Sequence, residues 1–257
     1  MVFRMNSYLK SALAACSLAA AGLGMGTQSA SAYQIFFGED LNNSASIALG
    51  STPNATAAEN QFLNVLSGVG TEDFEGFANG LGAPIALSFP GAGNATLSGG
   101  SGAVASAASG TTNGAGRYGT SGDNFFEVSA GGSGNFVVDF SSNVAAFGFY
   151  GIDIGDFGGQ LQIQLNDTAN TLITVNNTIG SGGSTDGSVL FFGIVAEDGD
   201  EEFTQASFLT TTGQGDVFAF DDMTIGSRQQ VISEPATLAT LGIGMAGLTA
   251  FRRLRRS

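Results

Sequence analysis

The chemistry open to this chain is mainly that of carboxylates, because the sequence has no histidine or tryptophan and its single cysteine is Cys16. Without histidine, Ser-His-Asp catalysis, Cys-His catalysis and histidine-ligated zinc are all excluded. The glycine-rich stretches lack a following Gly-Lys-Ser/Thr, so a phosphate-binding loop of that type is excluded too. What remains is glycoside hydrolysis, which needs only two Asp or Glu residues, and the binding of Ca²⁺ by hard oxygen ligands.

The most informative acids lie at the two ends of the predicted β-region. Glu75 belongs to the run Phe-Glu-Gly at residues 74–76, in the first predicted strand, and Asp221 and Asp222 lie inside the last one, residues 217–225. Strand alternation predicts that Asp221 and Asp222 point to opposite faces. An aspartate within an apolar strand is costly unless it is paired or metal-bound. The alternative is that Asp222 caps a turn or faces solvent.

The Phe-Glu-Gly opening and the Phe-Ala-Phe-Asp-Asp ending, residues 218–222, together resemble the jelly rolls of the carbohydrate-binding-module and galactose-binding-like class. In that class the first and last strands often run together and share a structural calcium ion. The resemblance therefore implies a jelly-roll fold in which Glu75 and Asp221 or Asp222 bind one Ca²⁺.

Two other acidic segments compete for the same ion. Asp153 and Asp156 lie in a glycine-rich link at residues 151–159, and residues 197–202 contain five acids around one glycine. Both segments offer several carboxylate and carbonyl oxygens, although neither has the EF-hand spacing. The alternative for each is a solvated acidic turn.

Hydrophobic periodicity predicts one helix and then a long β-region. Residues 55–66 have an apolar stripe of helical spacing, and Gly68 and Gly70 are expected to end the helix. Short runs of Val, Ile, Phe and Thr between polar clusters then predict ten strands, at residues 72–77, 85–89, 125–129, 135–140, 144–151, 160–165, 171–175, 189–196, 203–209 and 217–225. Residues 91–122 are expected to be mostly loop, with weak strands at 95–98 and 103–107. The fold class is therefore all-β, a jelly-roll-like sandwich at residues 72–228 preceded by a leading segment, residues 33–71, with one short helix.

The N-terminus has the pattern of a secretory signal peptide. Arg4 and Lys10 precede a small, apolar stretch at residues 11–25, and Ala30 and Ala32 form an A-x-A cleavage site. This pattern predicts a signal peptide at residues 1–32, with an apolar signal helix, and a mature chain that starts at Tyr33.

The C-terminus has three parts. The motif Ser233-Glu234-Pro235-Ala236 precedes an apolar run at residues 237–251, and a basic cluster follows, made of Arg252, Arg253, Arg255 and Arg256. The apolar run predicts a transmembrane helix, and the basic cluster is expected to stay cytoplasmic. The run is shorter than the roughly 20 residues that a permanent span needs, which favours a transient one.

This tail, residues 233–257, resembles the PEP-CTERM sorting signal of Gram-negative bacteria and cyanobacteria, with Ser233 in place of the first proline. The resemblance implies export, recognition by an exosortase-type enzyme and an association with exopolysaccharide. The alternative is a plain C-terminal membrane anchor.

The net charge of the predicted mature chain further restricts its possible binding partners. Without the two predicted processed ends, 21 acids face two bases, Arg117 and Arg228, and the net charge is −19. Nucleic-acid binding needs the opposite sign and is excluded. The leading hypothesis is a non-enzymatic component of the cell envelope or extracellular matrix. The alternatives are a glycan-binding module, in which Tyr118 or Tyr150 would contact the sugar, and, less favoured, a carboxylate-based glycoside hydrolase.

Overall fold

The structure is a computed structural model that describes residues 33–130, 136–181, 184–212 and 216–229. These residues form two antiparallel β-sheets that face each other, so the predicted all-β sandwich is confirmed. Consecutive strands pass repeatedly from one sheet to the other, as in a jelly roll. The predicted signal helix and transmembrane helix lie outside the described residues.

The first sheet has seven strands in the described part of the chain. Its order is β1-β11-β8-β13-β6-β5, and β2 also pairs with β13. The strands are β1 (Gln34–Asp40), β2 (Leu66–Glu72), β5 (Ala103–Ser106), β6 (Asn124–Ser129), β8 (Ala146–Ile152), β11 (Val189–Val195) and β13 (Val217–Arg228).

The second sheet has six strands in the order β10-β9-β12-β7-β4-β3. They are β3 (Ile85–Phe89), β4 (Gly93–Gly99), β7 (Phe136–Val144), β9 (Leu161–Leu165), β10 (Leu172–Thr174) and β12 (Phe203–Thr210). Most of these strands alternate buried and exposed residues, because one face packs on the core and the other faces solvent.

Phenylalanine fills the space between the sheets. The rings of Phe136 and Phe208 stack with centroids 3.9 Å apart, and Phe220 of the opposite sheet lies 5.2 Å from Phe208. All three side chains are fully buried. Each such burial contributes roughly 1.5–3 kcal/mol, which explains how a chain without disulfides in this region builds a stable domain.

A third layer covers the outer face of the first sheet. Helix α1 (Pro53–Leu63) packs there, and Phe62 lies directly over Gly148 and Gly193. A Cβ atom at Gly193 would lie 2.7 Å from the Phe62 ring, so the glycine makes this close approach possible. Because both of their faces are covered, β8 and β11 are buried at every position.

The start of α1 is capped from a distance. The carboxylate of Asp40, at the end of β1, accepts hydrogen bonds from the backbone N–H groups of Asn54 at 3.0 Å and Ala55 at 2.9 Å. These groups have no partner within the helix, and a negative charge favours this helix end. Asp40 therefore joins the first strand to the helix.

The leading segment differs most from its prediction. β1 and β2 both belong to the first sheet, so the sandwich starts at β1 rather than at residue 72, and α1 is inserted after the first strand. Gly68 and Gly70 lie inside β2, and the strand predicted at residues 72–77 is a turn after Glu72. Pairing with β13 favours the extended conformation there, and local periodicity does not report such distant partners.

Candidate functional site

Asp221 and Asp222 lie at an irregularity in β13. The register between β13 and β8 shifts between Asp221 and Thr224, and Asp222 has a φ of 46°. Such a bulge places an extra residue in one strand and redirects its side chains. The predicted strict alternation is therefore wrong here, and Met223 packs in the same core as Phe220.

The bulge directs both carboxylates to one loop, residues 120–124. Asp221 is fully buried, and its Oδ2 accepts hydrogen bonds from the N–H groups of Thr120 at 2.7 Å and Ser121 at 3.1 Å. Asp222 accepts a hydrogen bond from the Ser121 hydroxyl at 2.7 Å. Both aspartates thus hold the start of this loop.

Glu75 holds the end of the same loop. It follows Phe74, whose φ of 59° turns the chain sharply after β2. Its Oε1 accepts hydrogen bonds from the N–H groups of Asp123 at 2.8 Å and Asn124 at 2.6 Å. The three carboxylates that the sequence singled out are therefore brought to one loop, although they come from positions nearly 150 residues apart.

Burial dominates the electrostatics of this cluster. It raises the pKa of Asp221 well above the ordinary value, and the neighbouring charge of Asp222 raises it further. Burial also raises the pKa of Asp222, and the negative charges of Asp73 and Glu75 raise it further. Within the described ranges, no group of three or more His, Cys, Asp or Glu side chains is arranged to hold a metal ion. The Ca²⁺ site at Glu75 and Asp221 or Asp222 stays a prediction.

Asp153, from the first competing segment, forms an ion pair. Arg117 donates from Nη1 to Asp153 Oδ2 at 3.1 Å, and its Nε pairs with Glu127. Burial raises the pKa of Asp153 to about 7, against the opposing charge of Arg117. Burial and a hydrogen bond with Asp156 raise the pKa of Asp216 to about 6. This cluster ties the glycine-rich segment that carries Arg117 to the first sheet.

The second competing segment, residues 197–202, forms a short 3₁₀ turn, Gly199–Glu201. Asp198 accepts a hydrogen bond from the N–H of Asp200 at 3.0 Å, and the buried Glu201 accepts one from the N–H of Glu197 at 2.6 Å. Two of its acids thus stabilise the turn itself.

Neither predicted sugar-contacting tyrosine offers an exposed ring. Tyr118 is 6% exposed and donates to the carbonyl of Gly187 at 2.8 Å. Tyr150 is 5% exposed and donates to Glu59 at 2.8 Å. Both belong to the core cluster on the outer side of the first sheet, and sequence alternation alone does not report this burial. Every aromatic ring in the described part of the chain is buried or half-buried.

The outer face of the second sheet is a regular polar surface. Cross-strand pairs set its side chains in rows, such as Gln164 beside Ser207 beside Val137, and Gln205 beside Asp139 beside Thr96. We call it the amide face; its exposed or half-exposed residues are Thr96, Ser98, Val137, Asp139, Gln162, Gln164, Thr174, Gln205, Ser207 and Leu209, with Ala86, Ser88, Asn94 and Leu172 towards its two edges.

Hydrogen bonds along the amide face orient its side chains. Gln205 donates from Nε2 to Asp139 Oδ1 at 2.7 Å, and Gln162 donates to the hydroxyl of Thr174 at 3.1 Å. Asp139 is the single acid on the six strands of this sheet, in a chain with 22 acids. The sequence signal for this face is the alternation Leu-Gln-Ile-Gln-Leu in β9, which contains no charged or aromatic residue.

Several predicted site residues lie outside the described residues. They are the cleavage-site residues Ala30 and Ala32, the sorting motif Ser233, Glu234, Pro235 and Ala236, and the basic cluster Arg252, Arg253, Arg255 and Arg256. In the part of the chain that the structure describes, no helix is long and apolar enough to cross a membrane.

No protein-family model matches the sequence, and no curated protein matches it significantly. Among solved structures, a cleaved adhesin domain of Lys-gingipain is similar over 61% of this chain and 97% of its own, with 16% identity and a TM-score of 0.38. A family 29 carbohydrate-binding module is similar over 76% of this chain and 90% of its own, with 14% identity and a TM-score of 0.24. A variant of such a module gives 14% identity, coverages of 77% and 93%, and a TM-score of 0.25.

Proposed function

We propose that this protein is an exported, non-catalytic module of the cell envelope or extracellular matrix that binds a neutral polysaccharide through the amide face. The observation that supports this role is the composition of the face. It presents rows of amide and hydroxyl groups on a six-stranded sheet, and its strands carry one charge, Asp139.

The chemistry of the face favours an uncharged, hydroxyl-rich polymer. Glutamine amides both donate and accept hydrogen bonds, as sugar hydroxyls do. The partly exposed Val137 and Leu209 lie among these amides and can contact the apolar side of a sugar ring. With a net charge of −19 for the predicted mature chain, an acidic polysaccharide would be repelled.

The same face supports a binding role over hydrolysis. Carboxylate-based cleavage of a glycosidic bond uses two carboxyl groups on either side of the bond. The strands under the amide face supply one, Asp139, which accepts a hydrogen bond from Gln205. Without an exposed aromatic ring among the described residues, each sugar contact is expected to be weak, so affinity should grow with polymer length.

Delivery depends on the two ends of the chain. We propose that the secretory signal at residues 1–32 exports the protein and that the tail at residues 233–257 is recognised by an exosortase-type enzyme. The partners are then the secretion machinery, that processing enzyme, the membrane before processing, and exopolysaccharide afterwards. The protein would function at the cell surface or in the matrix of a Gram-negative bacterium or cyanobacterium.

Affinity electrophoresis with soluble neutral glucans and mannans tests the binding role. We expect the exported protein to be retarded by a neutral polysaccharide and not by an acidic one such as alginate. The double variant Gln162→Ala with Gln205→Ala should weaken binding about tenfold or more, because each lost hydrogen bond contributes about 1 kcal/mol.

Gln61→Ala is the matched control, because Gln61 is an exposed glutamine of α1 on the other side of the sandwich. Equal loss of binding in the control and the double variant would contradict the assignment to the amide face. No retardation by any neutral polysaccharide would leave a purely structural matrix component as the better description.

A further inference from the structure

β1 is an outermost strand of the first sheet and lies away from the amide face. β1 pairs with β11 on one side over seven residues, and no strand in the described ranges pairs with its other side. Gln34 and Ile35 are exposed, and Ile35 retains 49% of its accessible surface. An unpaired strand edge presents backbone donors and acceptors that can pair with another strand.

Among the other strands with one partner, β3, β5 and β10 are short or covered, whereas β2 also pairs on one side only, with β13. Residues 80–83 hydrogen-bond along β5, with Gly80 N donating to the Val104 carbonyl at 2.8 Å and Val104 N to the Leu81 carbonyl at 2.9 Å. At β3, the N–H of Ser88 donates to the side chain of Glu72 at 3.1 Å. β10 has three residues. These are the usual ways in which proteins prevent pairing at an edge.

β1 lacks the charges that normally protect an edge. Its first five residues, 34–38, are Gln-Ile-Phe-Phe-Gly, and none is charged, although the chain as a whole is strongly acidic. The two acids of β1 come after them and already have partners. Glu39 accepts a hydrogen bond from the hydroxyl of Thr178 at 2.7 Å, and Asp40 caps α1.

We propose that β1 pairs antiparallel with β1 of a second copy of this chain, so that the two first sheets become one continuous sheet. A twofold axis at Phe36 would place Gln34 opposite Gly38 and Ile35 opposite Phe37. Such an interface is self-complementary, because each copy contributes the same residues. It also aligns the whole uncharged segment with itself.

Charge selects this register over its neighbours. Opposing residues must point to the same face of the joined sheet, so the register can change only in steps of two positions. With the axis at Phe36, Glu39 lies opposite Tyr33 of the other copy. The axis at Phe37 would instead place Ile35 opposite Glu39, and an apolar side chain would then lie against a carboxylate.

The proposed interface is small, so the expected affinity between the two copies is low. Five paired residues on each side bury much less than the roughly 1,600 Å² of a standard stable complex. Self-association is therefore expected to be reversible and concentration-dependent.

Sedimentation velocity of the exported protein over increasing concentration tests this proposal. We expect a monomer–dimer equilibrium, which Ile35→Lys should shift to monomer because it places two ammonium groups near the shared edge. Leu172→Lys is the matched control: it makes the same kind of change at a residue that is 50% exposed on an edge strand of the other sheet. The control should dimerise like the wild type.

Cross-linking checks the register without relying on the lysine variant. In the proposed pairing the two Ile35 Cα atoms lie roughly 8 Å apart, from the strand spacing and the rise per residue. In a Cys16→Ser background, which has no other cysteine, Ile35→Cys should be joined by a short bismaleimide and Leu172→Cys should not. A protein that stays monomeric at every concentration would overturn the proposal. So would dimers that Ile35→Lys leaves unchanged, or equal cross-linking at both positions.

Discussion

At the scale of single residues, Arg117 links several segments of the domain. Its guanidinium contacts Asp153 and Glu127, and Nη1 also donates to the carbonyl of Val217 at 3.2 Å. Removing one partner of such a partly buried pair would leave the other charge without compensation. One guanidinium therefore holds a glycine-rich segment against several carboxylates.

These carboxylates predict a pH dependence of stability. The pKa of Asp153 is raised from 3.8 to about 7 and that of Asp216 to about 6, in both cases chiefly by burial. Between pH 4 and 7 the folded state therefore binds more protons than the unfolded state, so the free energy of unfolding falls as the pH rises. We expect a higher melting temperature at pH 5 than at pH 8, measured by circular dichroism. Each pKa unit corresponds to about 1.4 kcal/mol.

Asp153→Asn separates this effect from general charge repulsion. Asparagine tolerates the φ of 65° at this position and does not titrate. The variant should lose stability less steeply than the wild type between pH 5 and pH 8. Parallel pH profiles for the two proteins would show that Asp153 is not responsible.

At the scale of elements, β2 and β13 form the centre of the predicted cation site. Glu72 pairs with Met223 in their antiparallel ladder, and the turn after β2 and the bulge of β13 both direct acids to residues 120–124. The acids accept hydrogen bonds from the loop and thereby hold it at this end of the sheet. This arrangement brings the negative charges of Asp73, Glu75 and Asp222 close together, so they repel one another. A bound cation would relieve that repulsion.

Calcium binding at Glu75 and Asp221 or Asp222 is expected to stabilise the fold. An ion that binds only the folded state adds about 2.7 kcal/mol at a hundredfold excess over its Kd. For a domain of this size the melting temperature should rise by roughly 5–10 °C. Differential scanning calorimetry with Ca²⁺, Mg²⁺ and chelator measures the effect, and Mg²⁺ should do much less because it demands octahedral geometry.

Asp222→Asn or Glu75→Gln should reduce the response to Ca²⁺, whereas Asp200→Asn, in the 3₁₀ turn, should preserve it. A response abolished by Asp153→Asn or Asp200→Asn would move the ion to one of the two other segments. A melting temperature that changes with neither Ca²⁺ nor chelator would mean that the three acids only hold the loop and bind no ion.

At the scale of the whole molecule, both ends of the described domain are held by side-chain hydrogen bonds. Tyr33 is the first described residue, and its hydroxyl donates to the buried Asp167 at 2.9 Å. At the other end β13 closes with Arg228, whose Nη1 donates to the carbonyl of Ala196 at 3.3 Å. Hydrogen bonds thus tie both ends of the described domain to segments far away in the chain.

Sorting by the tail leads to a prediction about the basic cluster. Replacing Arg252, Arg253, Arg255 and Arg256 with Ser should impair retention and processing, because the positive charges are expected to hold the tail on the cytoplasmic side. Mass spectrometry of the native C-terminus and cell fractionation measure the effect. Unchanged cleavage and surface delivery would contradict the sorting role, and an unprocessed wild-type tail would indicate a plain anchor.

The sequence by itself determined the fold class and most strands. Apolar or alternating runs between polar clusters placed β6, β9, β11 and β12 within one or two residues of their observed bounds, because core-facing strands need apolar residues and turns need polar ones. The absence of histidine and the net charge also excluded whole classes of chemistry without any structure. These properties are local or compositional, so no knowledge of distant contacts is needed.

Only the tertiary structure decided the features that depend on distant partners. The bulge that sends Asp221 and Asp222 to one loop, the cap from Asp40 to α1 and the burial of Tyr118 and Tyr150 all join segments far apart in the chain. β1 and β2 were missed as strands for the same reason: their partners, β11 and β13, lie about 150 residues downstream. A hydrogen bond to a remote strand or a covering helix leaves no periodic trace in the local sequence, and its geometry exists only once the sheets have packed.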